Sequence, residues 1–317
     1  MSTPLVAVII LSWNNAADTL ACLASVQALD YPHVSTIVVD NGSTDDSVAR
    51  IRAGFPAVTV IENGANLGYA EGNNVGMRAA LAQGADYIFI LNNDVVLAPD
   101  AVSRLVEAME ADACIGMAGP AVFFADPPDR LFSTGSRIDW RRGQTRHIGM
   151  GSRGVPKDMP CIMEVDFLVG CAVCVRREVI EKIGAFDPAY YLNFEDVEWG
   201  VRARRHGYRV VCVPQARVWH KLSSSLGFAS PQNTYYMTRN ALRFFWRHAP
   251  GMWKIAAVAQ IIWRTVWIIG AWTLKRRYRN DLFRRKRDAN VLALRDFFLR
   301  RFGQMGADVA KVCNMVV

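Results

Sequence analysis

The sequence has no disulfide framework, because its seven cysteines (22, 114, 161, 171, 174, 212 and 313) are odd in number and scattered. That excludes a small cystine-stapled scaffold and fits reduced, cytosolic thiols. The CxxC of Cys171 and Cys174 lies in the apolar, strand-like run DFLVGCAVCVRRE and has no second copy. Residues three apart on a strand face opposite sides, so no metal or redox role is expected there. No cationic segment precedes the first apolar run, LVAVIIL, which is short, so a signal peptide is not expected. Internal repeats and low-complexity tracts are absent too. Acidic residues are scarce in one region only: residues 226–317 hold 17 Lys and Arg against four Asp, a balance of +13. Residues 1–225 carry −5, so an acidic body is joined to a basic tail that would meet something anionic.

What is present is a globular composition, 51% hydrophobic and 21% charged over 317 residues, sufficient for one large domain or two ordinary ones. LVAVIIL (5–11), TIVVD (36–40), VTVI (58–61) and YIFIL (87–91) are short, nearly continuous apolar runs rich in β-branched residues. Such runs suit strands buried on both faces of a parallel sheet. Helices are predicted between them at 16–29, 44–53 and 70–83. The alternation predicts a Rossmann-like α/β/α sandwich, mostly parallel, with ligands outside the carboxyl ends of the strands. Residues 120–160 read as an irregular excursion forming a binding surface. Order resumes with a strand over 165–175, a helix over 177–183, a helix in FEDVEWGVRARRHG stopped by Gly207, and a strand in YRVVCVP ended by Pro214. After about residue 225 the pattern turns helical, giving expected domains 1–225 and 226–317.

Three carboxylate sites stand at element ends. Asp40 closes TIVVD before the turn Asn41-Gly42-Ser43, where Asp and Asn are favoured for turn chemistry alone. Asn92, Asn93 and Asp94 close YIFILNND and can offer oxygen ligands to Mg²⁺ or Mn²⁺, or simply form a turn. Between them NLGYAEGNNVGMRAA spaces Gly68, Gly72 and Gly76 four apart, which permits close backbone approach and offers N–H groups to an anion. Glu195 and Asp196 fall in the first turn of a helix, where the dipole favours acids. Capping explains one of them well and two less well. His220, in ARVWHK, reads either as a structural residue or as the neutral imidazole of an Asp-based metal site.

VAVIILSWNN, IVVDNGSTDDS, NLGYAEGNN, YIFILNND, the block LVGCAVCVRREVIEKIGAFDPAYYLNFEDVEWGVRARRHGYRVVCVPQARVWH and YYMTRN together resemble the family-2 glycosyltransferases of the GT-A fold. The likeness is to their bacterial rhamnosyltransferase-like branch and covers roughly residues 4–245. It implies that Asp196 is the catalytic base with Glu195 its immediate neighbour. Asp94 and His220 would hold a Mg²⁺ or Mn²⁺ ion on the donor diphosphate. Trp13, Asn14, Asp40, Asn66, Gly68, Asn73, Asn92, Asn93 and Arg239 would lie on the donor side, Asp40 against a pyrimidine base. The sequence departs from the family's DxD carboxylates at Asn92, giving NND. The implied activity is inverting transfer from a UDP- or dTDP-sugar, dTDP-rhamnose favoured, to a saccharide or polyisoprenoid-linked acceptor in cell-surface polysaccharide synthesis. Competing readings are a sugar-nucleotide nucleotidyltransferase, whose Gly-rich, Lys- or Arg-bearing loop is missing from ILSWNNAADTL, and a non-catalytic nucleotide-sugar-binding scaffold.

In the tail, Ile255 to Trp272 is an apolar stretch interrupted by Gln260, Arg264 and Thr265. A central Arg costs roughly 2.5–3.5 kcal/mol on insertion, which disfavours a clean span. Trp253, Trp263, Trp267 and Trp272 beside Lys275-Arg276-Arg277 and Arg284-Arg285-Lys286-Arg287 suit an interfacial helix on anionic lipid. The expected location is cytoplasmic, peripheral at the inner face of the plasma membrane; a packed or homo-oligomeric helix is the alternative. No nucleic-acid module is recognisable, so nucleic acid is not an expected partner.

Overall fold

The computed structural model describes residues 3–156, 158–222 and 230–313, so the expected boundary after residue 225 lies outside the described residues. Two compact units share the chain. The first takes the described residues up to Arg137, His147–Asp187 and Glu195–Leu222; the second takes Ile138–Arg146, Pro188–Phe194 and the described residues after Leu222.

The first unit opens with β1 (Val6–Ser12), α1 (Ala16–Gln27), β2 (Val34–Asp40), α2 (Ser47–Gly54), β3 (Thr59–Glu62), α3 (Gly68–Ala82) and β4 (Tyr87–Asn92). It continues through β5 (Val95–Leu97), α4 (Ala101–Ala111), β6 (Ile115–Phe124) and β7 (Leu131–Ser133). In chain order a hairpin of β8 (Ser136–Asp139) and β9 (Gln144–His147) follows, its Ile138–Arg146 counted with the second unit, then β10 (Met163–Glu164), β11 (Ala172–Arg176), α5 (Arg177–Ile183), α6 (Glu195–Arg205) and β12 (Arg209–His220). The main sheet has the order β10-β12-β6-β11-β4-β1-β2-β3, with β5 and β7 pairing at its margin. β3, β2, β1, β4, β6 and β12 run the same way, while β11 and β10 run against them, so the sheet is mostly parallel.

The apolar runs behave as strands buried on both faces must. Val6, Val8 and Ile10 of β1 pack with Cys22 and Leu23 of α1 and Leu105 and Met109 of α4. Ala7 and Ile9 face the other way, onto Met77 and Ala80 of α3 and Trp199 of α6. Burying each such Val or Ile contributes about 1.5–3 kcal/mol. The glycines of α3 serve this packing. A Cβ at Gly72 would meet Leu11 Cδ1 at 2.6 Å, and one at Gly76 would run into Ile9, so these two face the sheet rather than an anion. That overturns the reading of the repeat as a ligand loop.

Connectivity sets the location of the cleft. β2 and β3 step away from β1 on one side and β4 lies on the other, which makes β1/β4 the point where the strand order reverses. Ser12 is level with Asp40, and Leu11 with Asn92, so the ends of β1, β2 and β4 form one rim.

Three local expectations change. β12 passes through Pro214 to His220, because the ladder to β6 slips between Val213 and Arg217 and the proline needs no partner there. In the run over 165–175 only Ala172 onward is strand, and Cys171 sits in the turn before it. Cys171 and Cys174 consequently share one apolar cluster instead of facing apart. The 120–160 region holds the end of β6, together with β7 and the β8–β9 hairpin, so it is more ordered than its Pro and Gly content predicts.

The second unit is helical as expected: α7 (Pro231–His248), α8 (Trp253–Leu274), α9 (Asp281–Phe298) and α10 (Ala307–Cys313). Ser230 caps α7 by accepting from the Asn233 N–H at 3.1 Å, with Pro231 in the first turn. Asn240 of α7 donates to the carbonyls of Tyr190, Leu192 and Asn193 at 2.8–2.9 Å, holding a segment in which Tyr191 and Asn193 have positive φ. Arg239 is 1% exposed and donates to Asn240 Oδ1, Tyr235 Oη and the Gly303 carbonyl while lying over the Tyr235 and Tyr236 rings. Its guanidinium is therefore spent inside this unit, and the donor-side role expected of it is withdrawn.

Candidate active site

The rim of the sheet is built by asparagines that tie loops together. Asn14, at φ 53°, donates its N–H to Ser43 Oγ at 2.8 Å and accepts from the Thr44 N–H at 2.9 Å, joining the end of β1 to the turn after β2. Trp13 beside it is 39% exposed. Asp40 is buried and accepts from the N–H groups of Gly42 and Ser43 at 3.2 and 3.0 Å, so turn chemistry accounts for what its carboxylate does here. Asn41, which the sequence marked only as a turn residue, accepts from Asn63 Nδ2 and the Leu67 N–H and donates to Asn66 Oδ1 and the Gly68 carbonyl. Asn66 also receives the Gly68 N–H at 2.9 Å. Asn73 does not reach the rim. One turn along α3 it has no exposed surface and donates to the Tyr69 carbonyl, so its donor-side role is withdrawn as well.

At the end of β4, Asn93 Nδ2 donates to Thr19 Oγ1 at 3.0 Å, and Asp94 is 5% exposed. Pairing of β12 with β5 sets His220 opposite Val95, and this places His220 Nε2 3.1 Å from Asp94 Oδ1. Neither ring nitrogen of the buried His220 makes a hydrogen bond of ordinary geometry among the described residues. Burial works against the imidazolium, but Cys171 and Asp94 outweigh it and raise the pKa to about 10 in the metal-free chain. A carboxylate oxygen and an imidazole nitrogen, 126 residues apart in sequence and adjacent in space, are of the right chemistry to serve as two ligands of a divalent ion. Among the described residues no group of three or more His, Cys, Asp or Glu surrounds that pair.

Asp196 lies at the start of α6, where Oδ2 accepts from the Gly170 N–H at 2.9 Å and Oδ1 from the Val197 N–H at 2.8 Å. Enclosure raises its pKa from 3.8 to about 6, and those two N–H groups limit the rise. A helix start alone would have held this carboxyl low, so the tertiary surroundings make it a better base than its local sequence suggests. Glu195 is 4% exposed, and its Oε2 meets no partner among the described residues. Burial first, and the neighbouring Asp196 charge second, raise its pKa well above the ordinary carboxylate range. Glu195 is thus a buried neighbour of Asp196 rather than a group presented to the cleft.

Tyr69 joins the two halves of the site, and no sequence signal singled it out. Its hydroxyl lies 2.9 Å from Asn92 Oδ1 and 2.7 Å from the Gly170 carbonyl. Burial raises the phenol well above its usual pKa, and the charges of Glu195, Asp196 and Asp94 all push the same way. Acids from two separate segments therefore act on one tyrosine.

The sequence profile of the Glycosyltransferase like family 2 matches residues 4–237. The chain belongs to that family. This family-2 glycosyltransferase is 27% identical over 262 residues to the N-acetylglucosaminyl-diphospho-decaprenol L-rhamnosyltransferase of Mycobacterium tuberculosis, covering 74% of this chain and 83% of that protein. It is 24% identical over 270 residues to the dTDP-rhamnosyl transferase RfbF of Shigella flexneri, covering 82% and 87%. Among solved structures it resembles the mannosyltransferase PcManGT from Pyrobaculum calidifontis in complex with GDP-Man and Mn²⁺, with a TM-score of 0.60 at 16% identity over 95% and 89% of the two chains. The fold is GT-A, and the expectation of a glycosyltransferase with a mostly parallel α/β core holds. Membership sets the nucleotidyltransferase reading aside.

Proposed function

We propose that this glycosyltransferase inverts the anomeric centre as it moves a sugar, rhamnose first among candidates, from a dTDP- or UDP-linked donor to a lipid-linked saccharide. The observation that carries the reading is the chain of contacts in which Tyr69 reaches both Asn92 and Gly170, Gly170 donates to Asp196, and Asp94, two residues from Asn92, lies 3.1 Å from His220. Asp94 and His220 are the residues that would hold Mg²⁺ or Mn²⁺, which when bound neutralises the charge growing on the leaving diphosphate. Asp196 accepts the proton of the acceptor hydroxyl as its oxygen bonds to the anomeric carbon and the bond to the diphosphate breaks. One such displacement inverts the centre. Asp40 and the Asn14–Ser43 turn shape the place for the pyrimidine, with Trp13 beside it, while Asn66 and Gly68 fix the start of α3 and Asn93 the end of β4. The rhamnosyl donors and decaprenol-linked acceptor named for the relatives support this choice of substrates.

We place the enzyme on the cytoplasmic face of the membrane, where such an acceptor would lie. α8 is long and apolar enough by length and composition to cross a bilayer. However, Arg264 at its centre donates to the carbonyls of Arg142 and Gly143 at 2.8 Å. Ile255, Trp263, Val266, Trp267 and Leu274 form an exposed stripe at helical spacing, and Lys275 lies over Trp267. An apolar stripe ending in a basic cluster supports a helix lying in an anionic lipid surface.

The test is transfer from dTDP-rhamnose, UDP-sugars and GDP-sugars to a polyprenyl-diphosphate saccharide, with Mn²⁺ or with chelator. dTDP-rhamnose should turn over fastest, with Mn²⁺ required and the product of opposite anomeric configuration. Donor binding without transfer or hydrolysis would favour a non-catalytic binder instead.

A further inference from the structure

We propose that Tyr69 is a positioning residue for the base: its hydroxyl braces Asn92 against the Gly170 loop and so fixes the N–H that holds Asp196. The inference rests on the reading of Asp196 as the base. Three observations support it. Tyr69 Oη lies 2.9 Å from Asn92 Oδ1 and 2.7 Å from the Gly170 carbonyl, so one hydroxyl spans residues 78 apart in sequence. Gly170 presents its other polar atom, the N–H, to Asp196 Oδ2 at 2.9 Å. A Cβ at Gly170 would sit in ordinary van der Waals contact with Asp196 Cβ and Oδ2 at 3.4 Å and with Tyr69 Oη at 3.5 Å, so Gly170, Asp196 and Tyr69 line one small space.

This arrangement also accounts for Asn92. At the first position of the NND run, its side-chain amide lies 2.9 Å from the Tyr69 oxygen, whose one hydrogen goes to the Gly170 carbonyl at the shorter 2.7 Å. A neutral amide can turn its NH₂ toward that oxygen, which a carboxylate cannot, and it adds no further acid to a neighbourhood that already contains Asp94, Glu195 and Asp196.

The testing variant is Tyr69→Phe, which deletes one oxygen and keeps the ring that packs near Phe186 at 6.1 Å. Tyr69 is neutral throughout the working pH range, so its loss removes no charge from the site. The groups facing Asp196 remain Glu195 and the N–H donors of Gly170, Val197 and Asp196 itself. With Gly170 unbraced, its hydrogen bond to Asp196 weakens, and the acid limb of the kcat/KM profile should move to higher pH. Misplacement of the base should lower kcat about 10- to 100-fold with donor KM unchanged. Melting temperature and donor binding, measured on the same protein, establish that it is folded. An unchanged kcat, a lower kcat with the acid limb unmoved, or a raised donor KM with kcat intact would each overturn the proposal. Asp196→Asn separates the two readings. If it stays active the base assignment fails; if it is dead while Tyr69→Phe behaves as wild type, only the brace fails.

Discussion

Replacing Asp196 by Asn should remove catalysis while leaving the protein as stable as before, or more so, at neutral pH. In the folded chain the carboxyl titrates near 6 instead of 3.8, so holding it ionised costs on the order of 3 kcal/mol. The sign follows from linkage. Because the folded pKa is raised, stability is highest below about 3.8 and is lost as pH rises through about 6, the reverse of an ordinary salt-bridged carboxylate. Asn carries no charge and escapes that cost. Its amide can accept from only one of the Gly170 and Val197 N–H groups, and its own NH₂ then faces the other donor. An unmet bond of that kind costs about 1–3 kcal/mol. The two terms nearly cancel, and Glu195 keeps its own burial penalty in both proteins. Transfer, followed as release of nucleoside diphosphate, should fall about 10²- to 10⁴-fold because no proton acceptor remains. Melting temperatures should match near pH 7.5, with wild type gaining on the variant toward pH 4.5. Turnover within about tenfold of wild type would refute the base, and a deep loss of stability at pH 7.5 would refute the energetics. For wild type, the acid limb of kcat/KM should fall near pH 6.

Gly76→Ala should lower stability by about 1–3 kcal/mol, seen in denaturant midpoints, because the added methyl drives into Ile9 and comes within 3.1 Å of Val39 Cγ2. A neutral result would mean that α3 can lift off the sheet. Trp263→Glu with Trp267→Glu should abolish flotation with anionic liposomes and leave turnover of a water-soluble acceptor intact, since both rings are exposed at 71% and 61%. Unchanged flotation would remove α8 from the membrane account.

The sequence by itself determined the layered core. Runs such as LVAVIIL and YIFIL have no polar alternation, so they can be buried only as strands covered on both sides, and the structure covers them with α1 and α4 on one face and α3 and α6 on the other. It also marked Asp94, Asp196 and His220, because polar groups closing strongly apolar strands or opening helices are conspicuous one at a time. Only tertiary structure decided which of the marked residues could serve. The spacing of Gly72 and Gly76 looked like a ligand loop, yet Leu11 and Ile9 already occupy the space beside them. Arg239 and Asn73 had suitable chemistry, but their helices turn them inward to carbonyls and rings. Tyr69 carried no local signal, since a hydroxyl acquires its role from atoms 23 and 101 residues away. The proton affinity of Asp196 was hidden for the same reason: a dipole acts along the helix that the sequence shows, whereas desolvation depends on everything the fold packs around it.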